Sequence, residues 1–282
     1  EALAHWQSEV RLQVLQWDAQ AGLAVQATGG EARLSDAGVL SVAIVPPSAA
    51  TLSQQAGQVY SAAAQFRDER RAEILVQVTP AMAFWSTVLP LHPERHRHTF
   101  EWITLAIACA SSVVLRLKHL LACPRPREVA DGLSPMLLTP GHGSLPSGHA
   151  TESTCVATLL AALLSSDPAN PDAALQQALR TQAARIANNR VVAGLHYPID
   201  SLVGMALGEV LGQRLVAAAG QALPLPGRHL DPNAHANLRH GEPALLDALA
   251  ALPPGGGAPV PVARQPSLQW LWQQARREWG AA

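Results

Sequence analysis

The apolar run ITLAIACASSVVL, from Ile103 to Leu115, sets the first limit on the fold. At thirteen residues it supplies between three and four helical turns. That is short of the roughly 18 to 20 residues that cross a bilayer. Glu101 precedes it and Arg116 follows it, as at the ends of a buried helix in a water-soluble bundle. No membrane-spanning segment is expected. A helix of this kind needs apolar partners, and the chain offers several.

Alanine-rich, helically periodic sequence runs from Thr51 to about Thr79. Further helices are expected over about 99–122, 147–165, 173–188 and 198–219, with Pro198 suited to a first turn. DPANPD breaks the chain between the third and fourth of these five. Near the start, VRLQVLQ and GLAVQAT alternate and read as a small strand pair, with Gly29-Gly30 as a turn. The fold expected is mainly α, with a minor β element near the N-terminus. Three regions follow: residues 1–50 as an extension with short strands, 51–220 as the helical catalytic domain, and 221–282 as a Pro/Gly/His-rich tail. In the tail PPGGGAPVPV reads as a flexible connection, and SLQWLWQQARREW as a helix packing back through Trp270, Trp272 and Trp279.

A net charge of −1 gives no broad basic field for nucleic acid or an anionic surface, so an anion site has to be local. Cys109, Cys123 and Cys155 lie in or beside apolar runs and read as buried thiols. The chain begins at Glu1, consistent with a removed leader and a soluble, periplasmic or secreted location, or with trimming.

Three clusters carry chemistry. In the first, Lys118 and Arg125 are seven apart, nearly two turns, and Pro124 and Pro126 end the helix so that the guanidinium can turn inward. Lys118 is the single lysine among 20 basic residues. In the second, GSLPSGHA, a helix start exposes free amides at Gly148, Ser147 adds a hydroxyl, and His149 stands where it can protonate a departing group. The G-x-x-x-x-G spacing from Gly143 to Gly148 lacks the Lys-Ser/Thr of a nucleotide P-loop, and neither serine sits in G-x-S-x-G. The third holds Arg190, His196 and Asp200. The aspartate, four residues after the histidine, can hold one ring nitrogen and leave the other free to attack. Such a set suits a tetrahedral or trigonal-bipyramidal oxyanion.

The order K-x6-R-P, P-S-G-H and R-x5-H-x3-D resembles the type-2 phosphatidic acid phosphatase superfamily, which includes bacterial acid phosphatases and vanadium haloperoxidases. The resemblance implies a helical bundle of that type. It makes His196 the nucleophile of a phosphohistidine mechanism, oriented by Asp200, and His149 the group that protonates the leaving alkoxide and later activates water. Lys118, Arg125, Ser147, Gly148 and Arg190 would hold the phosphoryl oxygens. The reaction implied is metal-independent hydrolysis of a soluble or lipid phosphate monoester. A vanadate-dependent haloperoxidase, with His196 as the protein ligand of vanadium, is the alternative; a catalytically silent anion-binding protein is a third. One departure is Asn189, where the family usually has serine.

Elsewhere, LHPERHRH (91–98) invites a zinc reading through His92 and His96, but Pro93 spoils the helix, and an exposed loop or a pocket rim is expected. DERRAE (68–73) reads as a solvated helix face, and His229, His235 and His240 as non-catalytic.

Overall fold

The computed structural model describes residues 2–78, 82–223, 225, 227–253, 260 and 262–280. Helix α1 (Ser8–Gln20) leads into strands β1 (Leu23–Thr28), β2 (Glu31–Asp36) and β3 (Val39–Ile44). Then come α2 (Ala49–Val76), the one-turn α3 (Met82–Trp85), α4 (Arg97–Leu121), the one-turn α5 (Pro126–Val129), α6 (Gly148–Leu164), α7 (Ala173–Val192) and α8 (Pro198–Ala218). Strand β4 (Arg228–Leu230), α9 (Glu242–Ala251) and α10 (Pro266–Glu278) complete the order.

The mainly helical expectation holds, with one element reassigned. VRLQVLQ is not a strand but part of α1. Its buried positions, Arg11, Leu15 and Ala19, recur every four residues, which is helical spacing. Arg11 there forms a buried ion pair with Glu101 of α4. Gly29-Gly30 does make the β1–β2 turn. The sheet runs β1-β2-β3-β4; the first three strands are antiparallel, and β4, from the tail, lies parallel to β3. PPGGGAPVPV lies largely outside the described residues.

At the centre, α8 is buried on almost every side, as an apolar helix without a polar face must be. It approaches α6 unusually closely. A Cβ on Gly208 would sit 2.5 Å from the Thr151 carbonyl oxygen, and Gly204 and Gly212 meet α6 in the same way. Two helical stretches, Arg97–Val129 and Pro198–Ala218, are long and apolar enough by length and composition to cross a membrane. The core helix of a water-soluble bundle passes the same test, so the expectation drawn from the thirteen-residue run is neither overturned nor established by it. The α8 window is 94% buried within the protein and that of the first stretch 44%; the exposed large hydrophobic side chains of α4 are Leu115 and Leu120.

The tail ties down the start of α4. Glu278 of α10 accepts from the backbone amides of His98 (2.7 Å) and Thr99 (3.0 Å), satisfying free donors at that helix end. His96 is buried and stacks on Trp279 at 4.2 Å, so the 91–98 segment is not simply an exposed loop. Trp272 packs edge-on against Trp102. The three cysteines are free and buried.

Candidate active site

The C-terminal turn of α4 presents Lys118 at the same place where the loops before α6 and α8 converge. The helix stops at Ala122, whose backbone is left-handed (φ 43°). The chain then extends through Arg125, whose amide donates to Glu128 (2.6 Å). Lys118 Nζ donates to the carbonyls of Gly143 (2.8 Å) and Ser144 (2.6 Å). Arg125 spreads its fork: Nε donates to the His142 carbonyl (3.1 Å), and Nη1 donates to the Leu195 carbonyl (2.8 Å).

Asp200 occupies the first turn of α8. Its Oδ2 accepts the Tyr197 amide (3.0 Å) and lies 3.1 Å from His196 Nδ1. A carboxylate only accepts, so Nδ1 carries the proton and the lone pair sits on Nε2. That lone pair faces Arg125 Nη1 at 3.1 Å. The Ser147 amide donates to the Asp200 carbonyl (3.0 Å), tying the start of α6 to the start of α8. Arg190 reaches the same place because α7 continues to Val192, beyond the expected end near residue 188. Gly194, at φ +80°, then turns the chain back, with the Leu195 amide on the Arg190 carbonyl (3.0 Å).

These residues enclose a cavity of about 270 Å³ lined by Lys118, Arg125, Gly148, His149, Arg190 and His196, among others. Ser147 lies buried directly behind Gly148. Every residue singled out in the three motifs is therefore in or beside one cavity, with Asp200 one contact behind. No residue of 91–98 lines it, nor do His229, His235 or His240. Three buried side-chain atoms of these residues have no hydrogen-bond partner: two donors, the Ser147 hydroxyl and Arg190 Nε, and one acceptor, Asp200 Oδ1.

Burial dominates the electrostatics. It holds His196 well below the ordinary histidine range, reinforced by Lys118 and Arg125, so this imidazole is neutral. Burial, with Arg190 nearby, takes His149 to about 4. Burial raises Asp200 to about 6, against the Tyr197 amide and the charges of Lys118 and Arg125. Burial and the adjacent Arg125 bring Lys118 down to about 7. The lysine is thus charged below that value and loses its charge as pH rises through it. Sulfate, whose charge is constant over this range, is expected to bind more tightly at pH 6 than at pH 8.5, by about tenfold. Calorimetry of Lys118→Met should show that difference largely gone; an unchanged pH dependence would remove Lys118 as its source.

Sequence reasoning missed the contribution of α2. Gln77 accepts His149 Nε2 on its backbone carbonyl (2.8 Å), and its side-chain oxygen accepts from Arg190 Nη2 (3.0 Å) and Asn189 Nδ2 (3.0 Å). The Ile74 carbonyl also accepts from Arg190 (3.1 Å). Arg70 donates to Asn189 Oδ1 (3.1 Å) and pairs with Glu242, while Glu73 holds Arg185 (2.8 Å). DERRAE is therefore not wholly solvated: Arg70 and Glu73 face α7. Asn189, the departure from the family pattern, is used on both ends of its amide.

The helix ends of this bundle thus gather three cations, the start of α6 at Gly148 and a His–Asp pair around one cavity. The comparisons give a likeness: residues 100–222, the helical segment that carries the three motifs, match the family model of the PAP2 superfamily. A decaprenylphosphoryl-5-phosphoribose phosphatase of Mycobacterium tuberculosis is 31% identical over 130 residues, 45% of this chain and 65% of that protein. A vanadium-dependent bromoperoxidase of Ascophyllum nodosum is 27% identical over 128 residues, 37% of this chain and 23% of that protein. The matched segments thus cover under two thirds of either relative.

Proposed function

We propose that the chain is a phosphomonoesterase working through a phosphohistidine. The observation that carries this reading is the pair of buried, unpartnered donors, Ser147 Oγ and Arg190 Nε, beside a neutral histidine in a cationic cavity. Buried polar groups without partners are rare, and an oxyanion would satisfy both. The similarity to a phosphatase supports the same class.

In this reading the phosphoryl oxygens take hydrogen bonds from Lys118, Arg125, Arg190, Ser147 and the Gly148 amide. An anion oxygen that draws Arg125 Nη1 onto itself uncovers the His196 Nε2 lone pair. Nε2 then attacks phosphorus, the P–O bond to the alcohol breaks, and Asp200 stabilises the charge on the imidazole. His149 has its Nε2–H held by the Gln77 carbonyl, which leaves Nδ1 to carry the transferred proton. The bound phosphate's negative charge raises His149 from its low value, so that it can be protonated and give that proton to the leaving oxygen. Water, deprotonated by His149, attacks phosphorus, and the N–P bond breaks to release phosphate.

A second reading has one observation in its favour, the similarity to a bromoperoxidase. The same cations and the His196 Nε2 lone pair fit vanadate, which when bound would supply the centre that oxidises halide with hydrogen peroxide. Parallel assays decide: p-nitrophenyl phosphate hydrolysis without added metal, against bromination with peroxide and vanadate. Hydrolysis alone is the expected outcome, and bromination without hydrolysis reverses the assignment.

His149→Ala is expected to harm alkyl phosphates more than p-nitrophenyl phosphate, whose leaving group needs no proton, with a gap of roughly 10²-fold. Equal losses on the two substrates would take the acid role away from His149.

A further inference from the structure

Among the residues lining the cavity, Glu152 is the lone acid, facing Lys118, Arg125, Arg190 and the histidines 142, 149 and 196. It stands on α6 one turn after Gly148. The position of a Cβ on Gly148 would be 3.7 Å from Glu152 Oε1, so the carboxyl lies against the first turn, beside the amide nest. Ser111 of α4 donates to Oε1, and no hydrogen bond from a described residue engages Oε2. The side chain is part-exposed, toward the cavity.

A carboxylate here does nothing for a bound phosphate except repel it. Orientation of His196 is already assigned to Asp200, and Glu152 is not paired with any basic side chain at bonding distance among the described residues. Burial raises its carboxyl above the usual range, while Ser111 and Lys118 pull it back. Its surroundings make sense if the ligand itself brings a donor. Val114 and Leu115 line the same cavity and offer an apolar wall for a short carbon segment between phosphate and that donor.

We infer that Glu152, held by Ser111, forms a subsite for the alcohol half of the ester, and that it selects substrates bearing a hydroxyl or ammonium donor on the carbon next to the ester carbon. The spacing agrees: four bonds from phosphorus to such a donor reach about one helical turn, the rise of roughly 5.4 Å that separates Gly148 from Glu152. This inference rests on the phosphatase reading and adds the substrate class. Glu152 acts here as a specificity-determining residue and takes no part in proton transfer to the leaving oxygen.

The test uses inert phosphonates in which a methylene replaces the ester oxygen: butylphosphonate, 3-hydroxypropylphosphonate and 3-aminopropylphosphonate, with inorganic phosphate as reference. Calorimetry on the full chain is expected to show at least one of the donor-bearing ligands binding about tenfold tighter than butylphosphonate, the scale of one hydrogen bond to a charged group. In Glu152→Leu that ratio should fall to about one. In Glu152→Gln a preference for the hydroxyl should survive and a preference for the ammonium should not, which tells the two donors apart. A wild-type ratio near one, or a ratio untouched in Glu152→Leu, overturns the subsite while leaving the phosphate site standing. Failure of the wild-type protein to bind inorganic phosphate at all overturns the phosphatase reading, and the subsite with it. Because each ratio is taken within one protein, a partly unfolded variant does not imitate loss of selectivity.

Discussion

His196→Ala is expected to lower kcat on p-nitrophenyl phosphate by roughly 10⁴-fold or more, because it removes the atom that forms the bond to phosphorus. The geometry makes this more than loss of a contact. Nε2 is the lone pair presented to the cavity, its tautomer set by Asp200 at 3.1 Å and its lone pair capped by Arg125 at 3.1 Å. No other neutral imidazole in the cavity has a carboxylate behind it. The oxyanion donors remain in the variant, so inorganic phosphate should still bind within about tenfold of wild type. Rapid quench of the wild-type protein should trap an acid-labile phosphoprotein that the variant lacks. Turnover within tenfold of wild type in His196→Ala would exclude the histidine as nucleophile.

The second large effect is structural. Gly208→Val places side-chain carbon where Thr151 O (2.5 Å), Thr154 Cβ (2.8 Å) and Cys155 N (3.0 Å) already stand. Two of these are backbone atoms of α6 and cannot rotate away, so the helices must separate. Overpacking of this kind costs about 3 kcal/mol or more, which for a chain of this size lowers Tm by roughly 6–12 °C. The separation should also reach the site, because the Ser147 amide is fastened to the Asp200 carbonyl across the same pair of helices. Gly57→Ala is the control: it lies in α2 with nothing within 4 Å of the added Cβ, and it should stabilise slightly through helix propensity. Thermal melts that put Gly208→Val within 2 °C of wild type would contradict the close α6–α8 contact.

What could be read from the chain beforehand follows from how local the cause is. Lys118, Arg125, Ser147, Gly148, His149, Arg190, His196 and Asp200 stand at helix ends, and helix ends have signatures of their own: prolines, a glycine, a serine, spacings of four and seven. These fix where a side chain emerges within one or two turns. VRLQVLQ misled because its alternation over seven residues fits a strand, while the contacts that make it helical, through Arg11, Leu15 and Ala19, span a longer stretch. Gln77 was illegible for another reason. Its partners lie 72 and more residues away, at His149, Asn189 and Arg190, and nothing about a glutamine near the end of an alanine-rich helix announces them. Arg70 and Glu73 looked like surface charge because adjacent charged residues usually are. Glu152 is a subtler case: sitting one turn after the PSGH motif, it could have been placed on the cavity face from helical spacing alone.

The reach of α2 into the cavity bears on where the working unit begins. The segment matching the family starts at residue 100, yet the carbonyl that holds His149 and the amide that steadies Arg190 both belong to Gln77. A protein cut back to the matched helices would keep all three signature motifs and lose the clamp that aims two of their side chains. The boundary of this unit is therefore drawn by hydrogen bonds made across the bundle, and it falls at least one long helix upstream of the recognisable motifs.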